Sequence, residues 1–110
     1  MQLEKTEVID LVTLSADGET ITLYLVATEP WPTTGEATLL LQAKLKNYVA
    51  FAADGQLTRQ YPKARGKKVA IEIRSDHPLG AMEEKLVAAA REHWCEPDGI
   101  ALRVSIGVVP

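Results

Sequence analysis

The chain has 110 residues, the length of one ordinary domain, and its 46% hydrophobic and 25% charged residues are the proportions of a soluble globular protein. A net charge of −3 and a pI near 5.3 tell against a dedicated nucleic-acid protein, whose domain would be basic. No stretch approaches the roughly 20 apolar residues that span a bilayer, MQLEKTEVID lacks the basic start and apolar run of a secretory signal, and the lone Cys95 cannot make an internal disulfide, so a cytoplasmic single domain over 1–110 is expected.

In chain order, VIDLVTL (8–14) is rich in β-branched and aliphatic residues and predicts a strand. SADGE follows, with Asp17-Gly18 as a hairpin dipeptide whose two residues both tolerate positive φ. TITLYLVAT (20–28) alternates Ile21, Leu23 and Leu25 against Thr22, Tyr24 and Val26, the period of a half-buried strand, so the two segments predict an antiparallel hairpin. EPWPTTGE then breaks the chain with two prolines and offers Thr33 and Glu36 at capping-box spacing. A helix is predicted from about 34 to 53, with Leu41, Leu45, Tyr48 and Ala52 inward and Gln42, Lys46 and Asn47 on the wet side. Asp54-Gly55 ends it, Gly55 being suited to the left-handed position after a helix.

QLTRQYPKARGKK predicts a loop with room for one helical turn, and KVAIEIR (68–74) predicts a strand by the alternation of Val69, Ile71 and Ile73. SDHP leads into a second helix over 79–95 with Met82, Leu86, Ala89 and His93 on one stripe, and EPDG stops it. IALRVSIGVV (100–109) is the last strand, with Ile100, Leu102, Val104 and Ile106 inward. The order ββαβαβ, with one clearly apolar face on every strand but the first, predicts an α+β two-layer sandwich: a four-stranded mixed sheet with two helices on one face. The last strand–helix–strand unit predicts a right-handed crossover between parallel strands.

That arrangement leaves a sheet face carrying Thr22, Tyr24, Val26, Ala70, Glu72, Arg74, Ala101, Arg103 and Ser105. It reads either as a solvated face laced by cross-strand Glu–Arg pairs or as a contact surface anchored by Tyr24 and the arginines, both common interface residues. Trp31, stiffened between Pro30 and Pro32, reads either as a lid over one end of the core or as a partner contact.

RQYPKARGKK (59–68) holds five of the chain's twelve basic residues, Arg59, Lys63, Arg65, Lys67 and Lys68, with no acid among them. It could hold an anion or nucleic acid, with Gly66 letting backbone N–H groups approach, or dock an acidic protein patch, but it lacks the spacing of a phosphate loop, and a charged connector that acts by electrostatic steering is the simpler reading. His77 and His93 are the two histidines, and His93 with Cys95 at i, i+2 point apart on a helix, so no metal and no cofactor is expected. His93 fits a helix–sheet seam or a charge at a helix C-terminus, and Cys95 a half-buried structural thiol. Asp76, Glu83 and Glu84 near the second helix start suit its dipole. With no nucleophile elbow, dinucleotide fingerprint or HExxH, no catalytic set is visible; an enzyme would need a pocket collecting His77, Cys95 and an acid.

The segments VIDLVTLSADGETITLYLV, LLLQAKLKNYVAFAADGQL and YPKARGKKVAIEI resemble a family of small bacterial cytosolic proteins of unknown function. The resemblance runs from about Val8 to the final strand, and it implies a single domain without supplying a catalytic or binding residue. The expected function is a non-enzymatic protein-interaction module, a homodimer included, acting through Tyr24, Trp31, Arg74 and Arg103. The alternative is anion or nucleic-acid binding through 59–68, and the second alternative is a small enzyme without a recognisable motif.

Overall fold

The computed structural model describes residues 9–32 and 34–107. Strand β1 (Leu11–Leu14) and strand β2 (Thr20–Ala27) form an antiparallel hairpin. Helix α1 (Glu36–Ala53), a short helix α2 (Gln56–Gln60) and a 3-10 turn (Pro62–Ala64) lead to β3 (Lys68–Ser75). Helix α3 (Ala81–Ala90) passes into a π turn (Arg91–Cys95) and a second 3-10 turn (Glu96–Asp98) before β4 (Ala101–Ile106). The sheet order is β1-β2-β3-β4, with β2, β3 and β4 parallel. The predicted α+β sandwich with a mixed sheet is therefore the fold, with α2 as the extra helical turn for which the sequence left room.

The apolar alternation sets the inner face. Ile21, Leu23, Leu25, Ile71, Ile73 and Leu102 are buried against Leu41, Leu45, Tyr48 and Phe51 of α1 and Val87 and Ala90 of α3 in one core. Each such side chain stabilises the fold by about 1.5–3 kcal/mol relative to exposure. In the hairpin turn Gly18 takes a φ of 73°, whereas no non-glycine residue described has a positive φ, so Asp17 does not share the left-handed role expected of it. Its carboxylate instead accepts the Ser15 hydroxyl and the Glu19 N–H, which hold it below the usual carboxylate range. Gly55, with a φ of 93°, sits just past the α1 C-cap as expected. Thr33 of the expected capping box lies outside the described residues; the N-cap of α1 is Gly35.

Two inward assignments fail. The stripe Met82, Leu86, Ala89, His93 is not the buried side of α3: Met82, Ala89 and His93 are exposed, and Glu83, Val87 and Ala90 face the core. His93 therefore does not sit in a helix–sheet seam. Continued helically, the series 83, 87, 90 would next bring residue 94 inward. The π turn inserts one extra residue per turn, so the inward position slips to Cys95, which is fully buried rather than half-buried. In β4, Leu102 is buried, but Ile106 is exposed because it lies at the end of the sheet's outer strand.

Candidate functional site

Two clusters combine a cation, a carboxylate and a tyrosine, one on each side of β2. On the helix side, Asp10 just before β1 turns its carboxylate inward. Its Oδ2 accepts the Val26 N–H at 2.9 Å and its Oδ1 accepts Lys44 Nζ at 2.9 Å. Tyr48 donates its hydroxyl to the Tyr24 carbonyl at 2.6 Å and accepts the Asp10 N–H at 2.9 Å. Lys44 and Tyr48 are fully buried, and burial pushes the Tyr48 hydroxyl well above the ordinary tyrosine range. This cluster fastens β1 and β2 to α1, and its described polar atoms are satisfied.

On the open side, the strand register places Leu11, Tyr24, Glu72 and Arg103 in one row across all four strands. The Arg74 guanidinium lies 5.3 Å from the Tyr24 ring centroid, within cation–π range. Glu72 accepts the Ser105 hydroxyl at 3.0 Å and stands 3.6 Å from Arg103 Nε and 4.0 Å from Arg74 Nη2. Arg103 also donates to Thr22 Oγ1 at 3.5 Å, which carries its side chain across β3 above Ala70. Ala70 and Thr22, both expected on this face, are thereby buried. The side chains of Arg74 and Arg103 remain 44% and 54% exposed. Leu11 beside them is 49% exposed. Tyr24, Arg74 and Arg103 thus converge as the alternation of the strands implied.

Trp31 does not join them. Its indole Nε1 donates to Ser75 Oγ at 3.0 Å, at the carboxyl end of β3, and its half-buried ring packs against the core. The fully buried Ser75 hydroxyl in turn donates to the His77 carbonyl. Trp31 and Pro32 border a shallow hollow of about 210 Å³ with Gly80, Ala81, Met82 and Glu83. Glu83 is buried and accepts the Thr38 hydroxyl, a tie between α3 and α1 rather than a free charge for the helix dipole.

The basic stretch is dispersed over α2, the 3-10 turn and the start of β3. Arg59, Lys63, Arg65 and Lys68 are exposed and Lys67 is half-buried. The N–H groups of Ala64, Arg65, Lys67 and Lys68 are engaged by the carbonyls of Tyr61, Pro62, Ala64 and Glu19, so the backbone around Gly66 does not form an anion-holding nest. Cys95 is sealed in the core, and burial pushes its thiol up, away from the thiolate a nucleophile requires. A hollow of about 400 Å³ between α1 and the π turn gathers Lys46, His93, Trp94 and Asp98, with Lys46 Nζ 5.4 Å from the Trp94 ring centroid, and it contains neither His77 nor Cys95. Among the described residues no three His, Cys, Asp or Glu side chains gather as metal ligands, and no helix is long and apolar enough to cross a membrane.

A model of a family of unknown function, DUF6572, matches residues 1–107. The chain belongs to that family. No curated protein and no solved structure matches it. The resemblance read from the sequence thus leads to DUF6572, and every described strand and helix, with both polar clusters, lies inside the matched region. Lys44 and Glu83 are the buried charges that sequence reasoning missed. One signal for Lys44 was present: it stands three residues after Leu41 and four before Tyr48, on the inward side of the first helix.

Proposed function

We propose that this DUF6572 chain is a non-enzymatic protein-binding module of the cytoplasm that presents the open face of its sheet to a partner. The observation that carries the reading is the Tyr24–Arg74 stack beside Arg103: two half-exposed guanidinium groups on a sheet face over which no described element packs. Their ion pairs with Glu72 are solvent-facing, and such pairs contribute about 1 kcal/mol or less to a fold. A partner can therefore recruit these groups at little cost to stability. The chemistry asks for carboxylates to meet Arg74 and Arg103 and an apolar side chain to meet Leu11. The lone buried thiol fits a reducing compartment.

The test is a comparison of proteins recovered from the native host by wild type and by a Tyr24→Ala/Arg74→Glu double variant with unchanged thermal stability. A partner bound by wild type and lost by the variant is the expected result. Identical recovery by both removes the reading. The rival reading, anion binding through Arg59, Lys63, Arg65, Lys67 and Lys68, requires affinity for oligonucleotide or polyphosphate that falls steeply with salt.

A further inference from the structure

The hollow between Trp31 and the start of α3 is a second binding site, and we infer that it takes a primary alkylammonium group, the end of a lysine side chain or of a small amine.

The decisive residue is Glu83. It is 2% exposed, yet it lines the hollow. Its Oε2 accepts the Thr38 hydroxyl, and its Oε1 accepts no hydrogen bond among the described residues. Every buried side-chain oxygen described has a partner, so the bare Oε1 is one that the hollow reaches. No described cation pairs with this carboxylate, whereas Asp10, the carboxylate turned inward beside β2, has Lys44. A helix N-terminus favours a nearby anion by about 2 kcal/mol at most, less than the several kcal/mol that desolvating a charge costs. Glu83 is thus a buried anion whose missing half is a cation brought from outside.

The walls are built for such a group. A Cβ on Gly80, the N-cap of α3, would clash with Glu83 Oε1, so the glycine leaves the space in which that oxygen sits. Trp31 stands between Pro30 and Pro32 and is bonded through Nε1 to the fully buried Ser75. Its ring is in place before any ligand arrives, which lowers the entropic cost of binding. Both walls stand on the segments that leave the carboxyl ends of the parallel strands β2 and β3, the end of such sheets at which ligands bind.

The lining selects among cations. A metal ion needs a shell of oxygen donors, and Trp31, Pro32, Ala81 and Met82 offer no side-chain oxygen. A guanidinium pairs best with both carboxylate oxygens at once, but Oε2 is taken by Thr38. A quaternary ammonium has no N–H for Oε1 and is recognised by cages of aromatic rings, of which Trp31 supplies one. A primary ammonium donates to Oε1, meets the Trp31 ring and lays its methylenes along Pro32, Ala81 and Met82. At about 210 Å³ the hollow is smaller than the roughly 300–1,000 Å³ of sites that enclose a whole ligand, so it receives the end of a chain. The site lies apart from the Tyr24–Arg74 cluster, so its failure leaves the proposed function standing.

The test titrates the full chain, isotope-labelled for NMR, with n-butylamine hydrochloride and with Nα-acetyl-lysine N-methylamide. Both should shift the Trp31 indole N–H and the Ala81 and Met82 amide signals saturably, while n-butanol and tetramethylammonium chloride at the same concentrations leave them in place. Glu83→Gln, which keeps an acceptor for Thr38, should weaken amine binding by about tenfold, the loss of one hydrogen bond to a charged group. Tighter binding of the lysine derivative assigns the site to a protein side chain and equal binding to free amines, and either supports the inference. No saturable shift with either amine overturns it, as does n-butanol binding as well as n-butylamine or an unchanged affinity in Glu83→Gln. The amine–alcohol comparison is made on wild type and decides the matter even if the variant does not fold.

Discussion

Asp10–Lys44–Tyr48 and Glu72–Arg74–Tyr24 use nearly the same chemical groups on opposite sides of one sheet, yet they are different objects. In the first, every partner is fixed by burial: Lys44 and Tyr48 are inaccessible and Asp10 accepts both a backbone N–H and an ammonium. In the second, contacts reach 3.6 and 4.0 Å, and both guanidinium groups meet solvent. The contrast teaches that water access, rather than residue identity, decides whether such a triad holds the fold or remains free to hold something else.

The comparison breaks first at Lys44. Lys44→Ala leaves Asp10 as a buried carboxylate without its ammonium, and urea denaturation should show a loss of about 3–5 kcal/mol. Next comes Tyr48→Phe, which strands the Asp10 N–H and removes one of the bonds to the Tyr24 carbonyl, and it should cost about 1–3 kcal/mol by the same measurement. Because the folded-state pKa of Tyr48 is raised, its contribution is intact below the unfolded value near 10 and is lost as pH climbs from there toward the folded value. The wild-type stability curve should fall over that alkaline range more steeply than that of Tyr48→Phe.

On the open face, Glu72→Gln should change stability by about 1 kcal/mol or less, measured by thermal unfolding. A loss as large as that of Lys44→Ala would show that the two clusters are energetically alike and remove the distinction. The smallest effect belongs to an exposed but well-bonded control, the hairpin turn. Asp17 has a lowered pKa, so its contribution is present above the ordinary value of 3.8 and is lost as pH falls through the lower folded value. In an NMR titration Ser15→Ala should bring Asp17 back toward the ordinary value.

The strands were legible because period-two alternation in TITLYLVA, KVAIEIR and ALRVSI leaves a single choice of inward face, and the open-face cluster follows from that choice. Helix α1 was legible from Leu41, Leu45 and Tyr48. Helix α3 was legible as a helix over 79–95 but not in its buried side, because AMEEKLVAAAREHW offers alanine on several sides and the residues that do face inward include a glutamate. Lys44 and Glu83 escaped detection for a shared reason: hydrophobic patterning assigns charge to water, and their partners Asp10 and Thr38 are distant in sequence. The π turn left no trace in composition, although it decides that Cys95, rather than Trp94, enters the core. Trp31 was left between a lid over the core and a partner contact; its ring packs against the core, and its bond to Ser75 holds it away from the cluster with which it was grouped.

The sheet order β1-β2-β3-β4 repeats the order of synthesis. Each strand finds its neighbour already made, so a chain emerging from the ribosome can extend the layer one rib at a time. No early strand has to wait, exposed, for a mate encoded further on, except along the rim that is always the newest.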